Sequence, residues 1–155
     1  MTYNSPYKDL TGREKRKLKN VCKFENYPEF AERFQSIKTE REIRPFNLNY
    51  PQKHTHKVIS QQLKKQGYVF AIILKCRQWG GTTYTSGLGT GLCQTEQNFN
   101  ALSVSQERNT RLNVYQMVKT FHENMPDMLR MQVELDRTGE LIKFNQRYRN
   151  KSLGS

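Results

Sequence analysis

Between Gly67 and Lys75 the chain reads Tyr68-Val-Phe-Ala-Ile-Ile-Leu74, its longest apolar stretch. A short unbroken run of branched and aromatic residues suits a strand buried on both faces, as in a parallel sheet. It falls far short of the roughly 18 apolar residues of a membrane-spanning helix. A polar, glycine-bearing turn follows, Lys75-Cys-Arg-Gln-Trp-Gly-Gly-Thr-Thr83, and behind it a helix is expected. Strand, glycine turn and helix in that order call for a second parallel strand reached by a right-handed crossover. Residues 101–105 supply one. Ser105 can then cap a helix over 106–124, with Val114, Met117, Val118 and Phe121 on one face and Pro126 as its stop. The expected class is therefore α/β, built on a βαβ unit.

The flanks are legible by their punctuation. Thr11-Gly-Arg-Glu14 has capping-box spacing and predicts a short helix behind it. Pro28 suits the first turn of a second helix, with Phe30, Phe34 and Ile37 as an apolar face. A third helix follows Pro51 and ends at Gly67, with Lys64 and Lys65 placed against the helix dipole. Near the far end, residues 132–135 and 141–144 flank Asp136-Arg-Thr-Gly-Glu140, a hairpin signal. The division expected is a basic helical arm over 1–42 and an α/β domain over 43–155.

Charge narrows the partners. The 155 residues carry 26 Lys+Arg against 14 Asp+Glu, a formal charge of +12, which points to an anion such as nucleic acid. Arg13, Lys15, Arg16, Lys17 and Lys19 crowd the first helix, and Arg147, Arg149 and Lys151 add charge at the other end. The run on the first helix either grips phosphates or an acidic protein face, or is a solvated surface. Eight Phe and eight Tyr argue against a disordered chain. Cys22, Cys76 and Cys93 form no close pair, which suits a reduced compartment, and His54, His56 and His122 lack metal-ligand spacing. Residues 1–10 are polar and offer no signal peptide, so neither a membrane nor a secreted protein is expected.

The turn at 75–83 is where chemistry is expected. Phosphate-binding loops join a strand to a helix through glycines, so that backbone N–H groups and the helix N-terminus face the anion. Gly80 and Gly81 allow close approach, and Thr82 or Thr83 can supply the hydroxyl that holds magnesium. Gly81 stands where the standard loop has its lysine, leaving Lys75 and Arg77 as the loop's cations. Trp79 either stacks on a base or packs beneath the turn.

These residues resemble a known family. Lys-x-Arg-Gln-x-Gly-x-Thr-Thr behind Val-Phe-Ala-Ile-Ile-Leu is similar to the deviant phosphate loop of the large terminase subunit, the DNA-packaging motor of tailed bacteriophages. Upstream, Arg44-Pro-Phe-Asn-Leu-Asn-Tyr-Pro51-Gln52 resembles that family's leading motif, with Gln52 in the adenine-reading position. Downstream, Asn98-Phe-Asn-Ala-Leu-Ser-Val-Ser105, Phe121-His-Glu-Asn-Met-Pro126 and the hairpin resemble its next strand, helix exit and strand pair. The likeness implies a partial P-loop NTPase of RecA/ASCE type that takes ATP and Mg2+. Gln52, Lys75, Arg77, Gln78, Gly80, Gly81, Thr82 and Thr83 would be its nucleotide-binding residues, Thr82 its metal ligand, and Arg13, Lys15, Arg16, Lys17 and Lys19 its DNA contacts. Double-stranded DNA is the implied partner, with the small terminase subunit or the portal protein beside it, in the cytoplasm of an infected or lysogenic bacterium.

Two departures shape the expectations. Gly87, Gly89 and Gly91 fall inside the helix behind the loop, which predicts a short or frayed helix. The family's second ATPase motif, a hydrophobic strand ending in Asp-Glu, and its nuclease carboxylates find no match. Val133-Glu-Leu-Asp136 is a poor candidate for the former. The chain therefore reads as an N-terminal, truncated part of such a motor, binding ATP weakly and not turning it over, and marginally stable or self-associating through an open sheet edge. The alternative is a non-catalytic basic module for DNA or a protein partner; a helicase-like P-loop motor is a third, weaker reading.

Overall fold

Thr11 accepts the Glu14 N–H on its hydroxyl at 3.3 Å while the Glu14 carboxylate accepts the Thr11 N–H at 2.8 Å. This reciprocal cap starts α1, Gly12–Val21, as the spacing predicts. The structure, a computed structural model, describes residues 11–74, 76–96, 98–127, 129–137 and 141–144. A 3-10 turn, Phe24–Asn26, leads into α2, Tyr27–Phe34, with Pro28 in its first turn. Then come β1, Ser36–Lys38, and β2, Ile43–Pro45, antiparallel with Ser36 opposite Pro45. The next helix, α3, spans Tyr50–Gln66 and stops at Gly67, whose φ of 78° is the left-handed cap expected of a glycine there. The helix behind the turn is α4, Gly81–Thr95, followed by α5, Arg108–Glu123. The hairpin pairs β3, Val133–Arg137, with β4, Leu141–Phe144; residues 138–140 of its turn lie outside the described set. The class is thus mixed helix and sheet, with two small antiparallel sheets among the described residues.

The two strands expected of a parallel sheet are not strands. Residues 68–74 and 101–105 are irregular, and no parallel pairing occurs among the described residues. Their apolar side chains face solvent: Phe70 is 74 % exposed, Ile72 81 %, Leu74 96 % and Leu102 90 %. The reason is pairing. A strand exists only where a neighbour takes its N–H and C=O groups, and here the Phe70 carbonyl receives a side chain instead, Gln62 Nε2 at 3.1 Å. Smaller shifts follow the packing. Ile37 lies on β1 because α2 ends at Phe34. On α5 the helix starts at Arg108 rather than 106, and the Ser105 hydroxyl does not cap an N–H but donates to the Glu107 carbonyl at 3.4 Å. Its buried set is Tyr115, Phe121 and His122, with Met117 packed against the core, because β3 and β4 touch its other side.

One apolar cluster runs from Val21 through Tyr27, Phe30, Ala31, Phe46, Leu48, Ile59, Tyr84 and Phe121 to Met125. Accordingly α2, grouped with the arm by sequence, forms a wall of the same core as α4. Gly87, Gly89 and Gly91 do not fray α4: Gly87 and Gly91 admit this wall, and Gly89 faces Ala101. A Cβ at Gly87 would lie 2.6 Å from the Tyr27 hydroxyl and 3.0 Å from Phe46, and one at Gly91 3.1 Å from Phe30. Each helix-interior glycine costs about 0.5–1 kcal/mol, whereas each large ring buried contributes about 1.5–3 kcal/mol. The rings win.

Among the described residues the buried side-chain polar atoms are paired, Trp79 Nε1 excepted. Tyr27 donates from its hydroxyl to Gln35 Oε1 at 2.9 Å, and Gln35 Nε2 donates to the Gly87 carbonyl at 2.8 Å. Gln94 Oε1 accepts the Met131 N–H at 2.9 Å, which turns its NH2 toward His122 Nδ1, 3.2 Å away. That nitrogen must then accept, so the ring is neutral. Burial, and secondly the nearby Arg130 charge, push the His122 pKa down to about 4.

Gly87→Ala is expected to destabilise the fold by about 1–3 kcal/mol through overpacking; an unchanged urea midpoint would mean that α2 and α4 are not in close contact. For His122 the folded pKa lies below the unfolded one, so the unfolded chain binds the extra proton first. Stability should fall as pH drops from about 6.5 toward 4, and His122→Gln should flatten that slope in thermal melts across the same range.

Candidate nucleotide-binding loop

The loop is built from the far side, by the start of α3. Asn49 caps that helix: its Oδ1 accepts the Gln52 N–H at 3.0 Å, and Gln52 Oε1 accepts the Asn49 N–H at 2.9 Å. The same two amides reach across to the turn. Asn49 Nδ2 donates to the Trp79 carbonyl at 2.9 Å and Gln52 Nε2 donates to the Gly80 carbonyl at 2.8 Å. A capping box thus doubles as a clamp. Gly80 must be glycine on two counts: its φ is 81°, and a Cβ there would lie 2.6 Å from Gln52 Nε2. Gln78 also adopts a positive φ, 65°.

Beyond the clamp, α4 begins at Gly81. Its first backbone bond runs from the Tyr84 N–H to the Gly80 carbonyl at 2.9 Å. Gly81 is buried, Thr82 is exposed and Thr83 is half-buried, while Arg77 and Gln78 stand exposed at the loop's outer side. Lys75 lies outside the described residues. Tyr84 anchors the helix from below. It is 1 % exposed, with its hydroxyl 2.9 Å from His56 Nδ1 on α3, and Ser60 Oγ is 3.3 Å from the other ring nitrogen. Desolvation raises the Tyr84 pKa and lowers that of His56, so both are neutral and the triplet ties α3 to α4.

The structure therefore brings Gln52, Gln78, Gly80, Gly81, Thr82 and Thr83 to one place, with Arg77 at its rim. Gln52 is 3 % exposed and both ends of its amide are engaged, so reading a base there would require one of these bonds to be exchanged. Trp79 packs on the turn: its indole lies against Gly81. Asn49 is the residue that sequence reasoning missed. Its signal was present, since Asn49-x-x-Gln52 is itself a capping-box spacing. Asp136, one of the acids weighed for the second motif, is held by α5 instead, through the Tyr115 hydroxyl and Lys119 Nζ at 3.6 Å, and Glu140, weighed beside it, lies outside the described residues.

The basic residues of α1 sit as a helical face. Leu18 and Val21 turn inward, leaving Arg13, Arg16, Lys17 and Lys19 exposed and Lys15 half-buried. Arg147, Arg149 and Lys151 lie outside the described residues. No helix among the described residues is long and apolar enough to cross a membrane. A scan against protein-family models finds no match to the chain, and searches of curated proteins and of solved structures find none.

Gln52→Ala should cost about 1–2 kcal/mol, the worth of a helix cap with one further hydrogen bond. It should also speed proteolytic cleavage within 76–80. Wild-type cleavage rate and urea midpoint would show that the clamp holds nothing.

Proposed function

We propose that this chain carries the phosphate-holding part of a nucleotide site in a DNA-packaging motor of the large-terminase kind, with residues 75–83 as a deviant phosphate loop of a P-loop-like unit whose strands, at 68–74 and 101–105, would form only with sheet neighbours. The observation that carries the reading is the clamped turn itself. Two left-handed residues, Gln78 and Gly80, lead straight into the N-terminus of the long helix α4, and α3 fixes the turn through two carbonyls. A turn of this kind offers backbone N–H groups and a helix dipole to an anion.

The residues present fit an anion rather than a free metal. Arg77 and Thr82 are exposed at the turn, and no cluster of three or more His, Cys, Asp or Glu exists among the described residues. Magnesium would accordingly arrive with ATP, on Thr82, and its chemistry would be to neutralise phosphate charge. Gly80 and Gly81 would let the backbone approach, Thr83 would support the helix start, and Arg77 with Lys75 would supply positive charge. In this reading Gln52 first positions the loop, and meets adenine only by exchanging a bond. The run 68–74, apolar yet exposed, has the composition of a strand awaiting sheet neighbours. Asp136 is engaged by Lys119 and so is not free to activate water at the turn, and the chain is expected to bind ATP weakly without turning it over.

Double-stranded DNA would lie along the exposed cations of α1, with the small terminase subunit or portal protein as further partners. Those same cations favour a second reading, a basic DNA- or partner-binding module that uses no nucleotide.

Calorimetry with Mg·ATP separates the two. Binding that weakens about tenfold in Thr82→Ala, the scale of a hydrogen bond to a charged group, supports the first reading; no heat in the wild type supports the second. Neither protein should release phosphate when DNA is added, and release abolished by Thr82→Ala would reveal a catalytic acid. Retention of duplex DNA should fall steeply with salt, and the Arg13→Ala/Lys17→Ala double variant should reduce the log–log slope by about 2.

A further inference from the structure

Trp79 and Gly81 carry an inference that rests on the nucleotide reading and deepens it. In the standard phosphate loop the residue before the Ser/Thr is lysine, whose stem runs toward the phosphates. Here that residue is Gly81, followed by Thr82. The space a stem would need is already filled. A Cβ at Gly81 would lie 2.7 Å from Trp79 Cζ2, 2.8 Å from Cε2 and 3.0 Å from Nε1. Gly81 does not have a positive φ, so the indole and not the backbone is what demands glycine there. Lysine at 81 and tryptophan at 79 exclude one another.

The indole brings one polar group to that space. Nε1–H is a donor only, with no capacity to accept. It is buried, and it is the one buried side-chain polar atom without a hydrogen-bond partner among the described residues. The neighbouring groups are otherwise committed: the Trp79 and Gly80 carbonyls to α3, and the Gly81 carbonyl to Thr85 Oγ1 at 3.1 Å. Buried donors without acceptors are rare in folded proteins. Such a donor, set where the lysine stem would run, would gain an acceptor if an anion were seated at the turn.

We propose that Trp79 stands in for the lysine of the loop: its indole fills the stem's place, and Nε1–H donates to a phosphate oxygen of a nucleoside di- or triphosphate. The lysine's charge is thereby exchanged for a neutral donor, and Arg77 is left as the cation of the described loop residues 76–80. Trp79 is a specificity residue in this scheme. It contacts phosphate and transfers nothing.

Trp79→Phe keeps a ring against Gly81 and removes only the N–H. Its melting temperature should equal or exceed that of the wild type, because an unpaired donor is lost. Its affinity for Mg·ATP by calorimetry should fall about tenfold. A structural role would move the first quantity and leave the second. As Trp79 is the chain's single tryptophan, wild-type emission reports on it directly. Emission should change on saturation with Mg·ATP or magnesium tripolyphosphate and not with adenosine. Undiminished affinity in Trp79→Phe, or emission unaltered while calorimetry records binding, overturns the role of Trp79 and leaves the nucleotide reading standing. Absence of Mg·ATP binding to the wild type removes both.

Discussion

The contact on which the rest of the molecule leans is the seating of aromatic rings on a helix that lacks side chains to hold them off. Tyr27 and Phe30 of α2, with Phe46 and Phe121, come within van der Waals reach of Gly87 and Gly91. Only a bare backbone lets them so close. Because the Gln35 amide also donates to the Gly87 carbonyl, the approach is fixed by a directed bond as well as by area. The same helix carries the loop at its N-terminus, so the position of Gly81 is set by packing two turns further on.

How much of this was legible depended on whether a pattern reports its own chemistry or that of a partner. Caps report themselves: Thr11 with Glu14, and Gly67 after α3, were placed by residue type alone. The hairpin at β3 and β4 was likewise readable from its turn. The run 68–74 was not. Its composition states that it prefers burial between neighbours, and composition cannot say that a neighbour is there. The glycines of α4 erred in the opposite sense, since propensity counts their entropic cost and is blind to the rings that offset it. For the loop, residue types marked the right stretch of chain. They did not show that Gln52 and Asn49 hold the turn by its carbonyls, because a capping box seen in sequence does not reveal its spare donors.

Charge and polarity are segregated in the folded chain. The ion pairs lie at the surface, such as Arg33 with Glu29 at 2.7 Å and Lys143 with Glu134 at 3.2 Å, where each is worth about 0–1 kcal/mol. The interior holds neutral polar groups instead, Tyr27, Gln35, His56, Tyr84, Gln94 and His122, each with a partner. Directed bonds of that sort select one packing among many that an aromatic core would tolerate. The excess of cations is left outside, where it imposes no desolvation cost and remains available to a polyanion.

The clamp of α3 on the turn has a thermodynamic corollary. Trp79 and Gly80 are pinned by their carbonyls, and Tyr84, one helical turn on, is pinned by His56 from the same helix. Fixing a residue's backbone costs about 1–2 kcal/mol of conformational entropy. For the second half of the loop that cost is met during folding, by bonds that no ligand has to supply. If an anion binds there as proposed, it meets residues 79 and 80 already fixed, and the loop is preorganised from the side that carries the helix.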